Sequence, residues 1–275
     1  MLREVMGERC VGLLYGQRAL CIGALKPLNF VGTYEHSHHV DTPFKRLAHT
    51  GEMFERIYFG SREEADRTLA VVEGMHRRVN GVLTEDAGPA YPAGARYDAL
   101  DPELMWWTVA VMIDSAAWFF ERLVRPFAGD EAERFYGDWV RFAELFGMPA
   151  GHAPATYADF RAWYADQLAG SDLFLTDDAR EVGYMTAFEI PLPLARQPGK
   201  VLHDALMLYS LPASVRAHYG LRLSRPVVAA SRTILALHPR VRRALPDRIA
   251  RGSCVREFNL VAATEAKRGG LARAA

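Results

Sequence analysis

Residues Leu104 to Phe120 read LMWWTVAVMIDSAAWFF, a run of 17 residues whose only charge is Asp114. A helix with apolar side chains on nearly every side must be covered nearly all round. The run falls short of the roughly 20 apolar residues that a membrane span needs, and it carries an acid near its middle. No second run of this kind occurs in the chain. It therefore reads as a central buried helix, and the other segments must supply its shell. Asp101-Pro102-Glu103 marks its start, with a capping acid, proline in the first turn and an early carboxylate. Leu104, Trp107, Val111, Asp114, Trp118 and Arg122 share one face. That face points Asp114 into the core or a cavity, either paired to a buried arginine or in a catalytic role.

The rest of the chain repeats the helical period with clear stops. The first 25 residues read as helix, weakened by Gly12, Gly16 and Gly23, which leave room for close approach of a helix or a flat ligand. Lys26-Pro27 breaks it. A polar segment with His36, His38 and His39 follows. A helix then opens at Asp41 or Thr42 with Pro43 in its first turn. Ser61 caps the next helix, which runs through MHRRVNG to Gly81 and keeps Leu69, Val72, His76, Val79 and Leu83 on one face. Glycine and proline punctuate further helices up to Leu237, and a basic tail begins at about residue 239. No period-two strand pattern and no fixed repeat is visible. The expected class is all-α, a single large multi-helix domain over residues 1–275.

Composition closes off several functions. Hydrophobic residues make up 50% and charged residues 24%, and 33 basic side chains balance 33 acidic ones. No general basic surface argues for nucleic acid. Cys10, Cys21 and Cys254 are widely spaced and odd in number, which fits neither a disulfide framework nor a CxxC metal site and favours a reducing compartment. MLREVMGERC lacks the apolar core of a signal peptide. A cytoplasmic protein without a transmembrane segment is expected.

Two features carry chemistry. His76 is a lone imidazole on an apolar helix face, read as a core histidine or as a neutral ligand to iron. On the preceding helix Arg46, Thr50, Met53 and Ile57 share a face. An inward guanidinium needs an anion, from a structural ion pair or from a cofactor or substrate carboxylate. The spacing of His36, His38 and His39 does not aim two rings at one ion, and a surface loop is the commoner explanation.

The ordered set of landmarks resembles a known family. It runs from Gly16 and Arg18-Ala19-Leu20 through Pro27, Glu35-His36-Ser37, Thr42-Pro43, Arg46-Leu47 with Thr50, and Phe59-Gly60. It continues with Met75-His76 followed by Val79 and Gly81, Asp101-Pro102-Glu103-Leu104, Asp114-Ser115, Val124-Arg125-Pro126, Pro154-Ala155-Thr156-Tyr157 and Tyr219-Gly220-Leu221. The set resembles the proteins grouped with the fungal oxygenase MpaB and the latex-clearing rubber oxygenases, over roughly residues 12–243. The resemblance implies a globin-reminiscent helical fold around haem b, with His76 as proximal iron ligand. It implies Arg46 and Thr50 on the distal side, His49 where rubber oxygenases have a distal lysine, and Glu35 in the region of their catalytic glutamate. Arg18 and Arg77 are then candidates for the haem propionates. Lys26, Asn80 and Val109 depart from residues common in the family, which changes the pocket. The implied activity is an oxygenase-like oxidation of a hydrophobic small molecule, an unsaturated one among the options, with dioxygen. A non-catalytic haem- or lipid-binding protein is the alternative. A non-haem metal enzyme using His36, His38, His39 or His49 ranks third.

Overall fold

The computed structural model describes residues 1–35 and 43–274, with side chains for 1–31 and 43–268. The run at Leu104–Phe120 lies inside one long helix, α7 (Pro102–Leu123). The Asp101 carboxylate accepts the backbone N–H of Glu103 and Leu104, and Pro102 sits in the first turn. Trp106, Trp107, Ala110, Val111, Ile113, Ala116, Ala117, Phe119 and Phe120 are all buried. No helix among the described residues is long and apolar enough to cross a membrane.

Packed on α7 are α1 (Leu2–Met6), α2 (Arg9–Gly12), α3 (Tyr15–Gly23) and α4 (Pro27–Glu35), and later α8 (Glu131–Leu145) and α13 (Arg225–Ala244). The Trp107 indole N–H donates to the Gly23 carbonyl at 3.2 Å, tying α3 to the centre. Helices α9 (Tyr157–Ala169), α10 (Asp177–Phe188), α11 (Gln197–Ser210) and α12 (Ala213–Tyr219) complete the shell, and α14 (Asp247–Ala250) is a single turn. Thr156 and Thr176 cap α9 and α10 through their hydroxyls. Phe135, Trp139 and Phe142 of α8 and Phe160 and Tyr164 of α9 join the α7 tryptophans in one aromatic core.

The all-α class read from the sequence holds, with differences in detail. Residues 2–23 form three short helices rather than one. The polar segment after Lys26 begins as α4, and His36, His38 and His39 lie outside the described residues. Helix α6 (Arg62–His76) stops at His76 instead of reaching Gly81. The Asn80 side chain donates to the Arg77 carbonyl at 3.2 Å there, and the chain turns into a short antiparallel pair, β1 (Asn80–Val82) with β2 (Arg96–Asp98). Three-residue strands are too short to show an alternation.

The stretch read as a basic tail is structured as well. Helix α13 continues to Ala244, and Arg242 pairs through both Nε and Nη2 with the buried Glu8 carboxylate. After α14, α15 (Val255–Ala274) lies along α5 (Pro43–Phe59). Gly51 permits that approach, since a Cβ there would stand 2.6 Å from the Phe258 ring. The Glu265 carboxylate accepts the N–H groups of Phe44 and Lys45 at the start of α5, where an anion suits the helix dipole.

Arg125 clamps the α7–α8 corner between Glu131, at 2.5 Å, and Glu4, at 2.9 Å. Hydrogen bonds from Arg125 and from the Ala128 N–H hold the Glu131 carboxyl down to about 2. A carboxylate with a depressed folded pKa stabilises fully above its unfolded value of about 4.5, and that contribution fades as pH falls toward 2. Stability measured by urea unfolding should therefore fall less steeply between these pH values in Glu131→Gln than in the wild type. Parallel curves would show that the clamp is silent.

Candidate functional site

Helices α5 and α6 form a hairpin through Gly60 and Ser61. Ser61 Oγ accepts the Glu64 N–H while the Glu64 carboxylate accepts the Ser61 N–H, a reciprocal cap that fixes where α6 starts. Arg46 lies fourteen residues before Gly60, and His76 fifteen residues after Ser61. At 1.5 Å per residue both stand roughly 20 Å along their helices from the turn.

His76 is half-buried on the α6 face that also buries Thr68 and Val72. Its ring centroid is 6.3 Å from Phe146, which continues through Phe142 at 4.7 Å into the aromatic core. Burial lowers the pKa of this histidine below its usual value and so keeps the imidazole neutral. Its Nδ1 is buried with no hydrogen-bond partner. Such an atom is uncommon in a folded interior, where polar groups are normally matched. A neutral, unpartnered imidazole in apolar surroundings fits what a haem iron requires of one protein ligand.

The other expected residues divide. Arg46 is half-buried, and desolvation lowers its pKa. Met53 on its face is buried and Ile57 half-buried, but Thr50 is exposed, and so is His49. Arg77 is exposed and held by Glu73 on the same helix at 2.5 Å. Glu35 ends α4, and its side chain lies outside the described residues. Among the described residues no three His, Cys, Asp or Glu side chains converge as a metal-holding set. Of the departures from the family pattern, Val109 is buried, Asn80 closes α6, and Lys26 lies over the Trp107 ring at 4.9 Å while donating to Gln167 at 2.7 Å.

Arg18 is bound elsewhere. It is 2% exposed, and its Nη1 donates to Asp114 Oδ2 at 2.7 Å and to Ser115 Oγ at 2.9 Å. Its Nε donates to the Ser210 carbonyl at 3.1 Å. Asp114 is thus the acid paired to a buried arginine, one of the two readings its sequence position allowed. It also takes Arg161 on Oδ1 at 2.6 Å, a partner that the sequence reading missed. The signal was present, since Arg161, Tyr164, Ala165 and Leu168 follow at steps of three, one and three along one face of α9. These residues border a cleft of about 290 Å³. A second cleft of about 320 Å³, lined by Lys26, Tyr91, Arg96, Asp98 and Glu103 among others, opens near the start of α7. Neither cleft is lined by His76.

A family model described as "ER-bound oxygenase mpaB/B'/Rubber oxygenase, catalytic domain" matches residues 3–245. No curated protein and no solved structure matches the chain.

Replacing Asp114 by Asn should leave the buried Arg18 without its counter-charge. Loss of one partner of such a pair costs about 3–5 kcal/mol. A urea midpoint within error of the wild type would mean that Arg18 finds another anion or that the pair contributes nothing.

Proposed function

The chain belongs to the mpaB and rubber oxygenase catalytic-domain family, and on that premise we propose that it is a haem-dependent oxygenase acting on a hydrophobic small molecule. The observation that carries the cofactor assignment is His76, a neutral imidazole with a buried, unpartnered nitrogen beside an aromatic wall. His76 would hold the iron of haem b. When bound, that group supplies the redox chemistry toward dioxygen, while the protein sets ligation, orientation and access.

The chain's own side chains have separate tasks. Phe146, backed by the buried Phe142, would exclude water from one side of the imidazole and offer an apolar surface to a hydrophobic substrate. Arg46 brings a cation into a partly desolvated place, where it would stabilise negative charge that develops during the reaction. Arg77 and Arg78, exposed beside His76, would meet carboxylates of a bound cofactor, Arg77 by exchanging its Glu73 partner. A second reading, haem or lipid binding without turnover, draws on the exposure of Thr50 and His49 next to a half-buried Arg46.

Protein produced with haem supplied should show a Soret band that His76→Ala abolishes or shifts. An unchanged band in that variant removes His76 as ligand. Arg46→Ala should keep the band yet lower dioxygen consumption with a reductant by roughly 100-fold, the effect of deleting one charge-stabilising donor. Haem binding with no consumption by the wild type would favour the carrier reading.

A further inference from the structure

The cleft beside Asp114 holds more hydrogen-bond donors than its own residues use. Arg18 Nε and Nη1 are occupied by Ser210, Asp114 and Ser115. Its Nη2 makes no hydrogen bond among the described residues, although the residue is 2% exposed. Tyr164 lines the same cleft, and its hydroxyl is buried without a hydrogen-bond partner. Burial raises its pKa well above the ordinary tyrosine value, so it remains a donor. Both Asp114 oxygens are already engaged, Oδ2 by Arg18 and Oδ1 by Arg161.

Charge points the same way. Arg18, Arg161 and Arg122, the last lying 4.6 Å over the Trp118 ring, act on one another electrostatically with only Asp114 and Glu121 in opposition. Three cations against two acids leave one positive charge in excess. Arg161 is about half-exposed, so the cleft is open to solvent on the side where that charge lies. Trp118, Ala165, Leu168, Leu211 and Pro212 give the cleft an apolar wall, with Tyr209 and Ser210 beside it. A volume of about 290 Å³ lies at the small end of ligand sites.

We propose that this cleft binds a small organic monocarboxylate. Its carboxylate is received by Arg18 Nη2, Arg161 and the Tyr164 hydroxyl, and its apolar body lies against Trp118 and Leu168. A single negative charge matches the excess, and planar guanidinium groups suit a carboxylate. A phosphate dianion would over-compensate the charge and leave the apolar walls unused. The inference does not rest on haem, since His76 does not line the cleft, although Arg18 also figured among the candidate propionate partners.

The test is isothermal titration of the full chain with benzoate, with benzamide as its neutral counterpart, and with inorganic phosphate. Benzoate should bind saturably and benzamide should not. Arg161→Gln, which alters a half-exposed side chain, should weaken benzoate by about tenfold through loss of a charge-assisted contact. Tyr164→Phe, which keeps the ring, should weaken it by about fivefold. Far-UV circular dichroism checks that both variants fold as the wild type does. His76→Ala should bind benzoate as well as the wild type, which separates this site from the oxygenase reading. The proposal is overturned by absence of benzoate saturation in the millimolar range, or by tighter binding of phosphate than of benzoate. Equal affinity in a folded Arg161→Gln also overturns it, as does displacement of benzoate by haem, which would assign the donors to a propionate.

Discussion

The burial of α7 is the constraint on which the rest of the structure depends. A helix with this much aromatic and aliphatic surface is stable only when covered on every side, and each short N-terminal helix covers a strip of it. The single acid it carries would be intolerable alone in that setting. Arg18 answers it from α3 and Arg161 from α9, so one carboxylate fixes the position of two shell helices against the centre. The pairing does for orientation what the apolar contacts do for cohesion. It also concentrates cations in one place, and the neighbouring cleft inherits them.

The hairpin of α5 and α6 is organised differently. Helix α6 packs chiefly on α5, and its apolar face is narrow. Its C-terminal end is held by the Asn80 side chain and by the contact of His76 with Phe146, rather than by burial in the core. A histidine in such a position is desolvated enough to stay neutral while remaining only half-buried. Core histidines usually spend both ring nitrogens on hydrogen bonds, and His203, bonded to Asp204 and Gln17, is an instance in this chain. The contrast with His76 is the physical basis for singling it out.

The sequence made the class and the centre of the fold legible because α7 lacks charge and its cap is unambiguous. It also put Arg46 and His76 on adjacent helices. What it could not show was which neighbour covers each face. Thr50 shares a helical face with Arg46 and Met53, yet it is exposed where they are not, because periodicity fixes direction and says nothing about cover. The end of α6 was misjudged because Val79 and Leu83 keep the helical spacing after the Asn80 side chain has already closed the helix. Arg161 was missed because its partner lies on another helix 47 residues away, and a charge on an otherwise mixed face looks like a solvated one. The terminal segment looked like a tail because it is basic and rich in small residues, while its contacts with α5 depend on single positions, Phe258 and Glu265.

Those contacts bear on where the functional unit stops. The family match ends at residue 245, ten residues before α15 begins at Val255. Yet α15 supplies the carboxylate that neutralises the exposed amides at the start of α5, and the ring that fills the notch left by Gly51. Three residues on from Pro43 is Arg46, so the segment outside the shared domain sets the footing of a helix inside it. The cooperative folding unit is therefore longer than the homologous one. Loosening the Phe258 or Glu265 contact would therefore reach Arg46 without altering any residue of the matched segment.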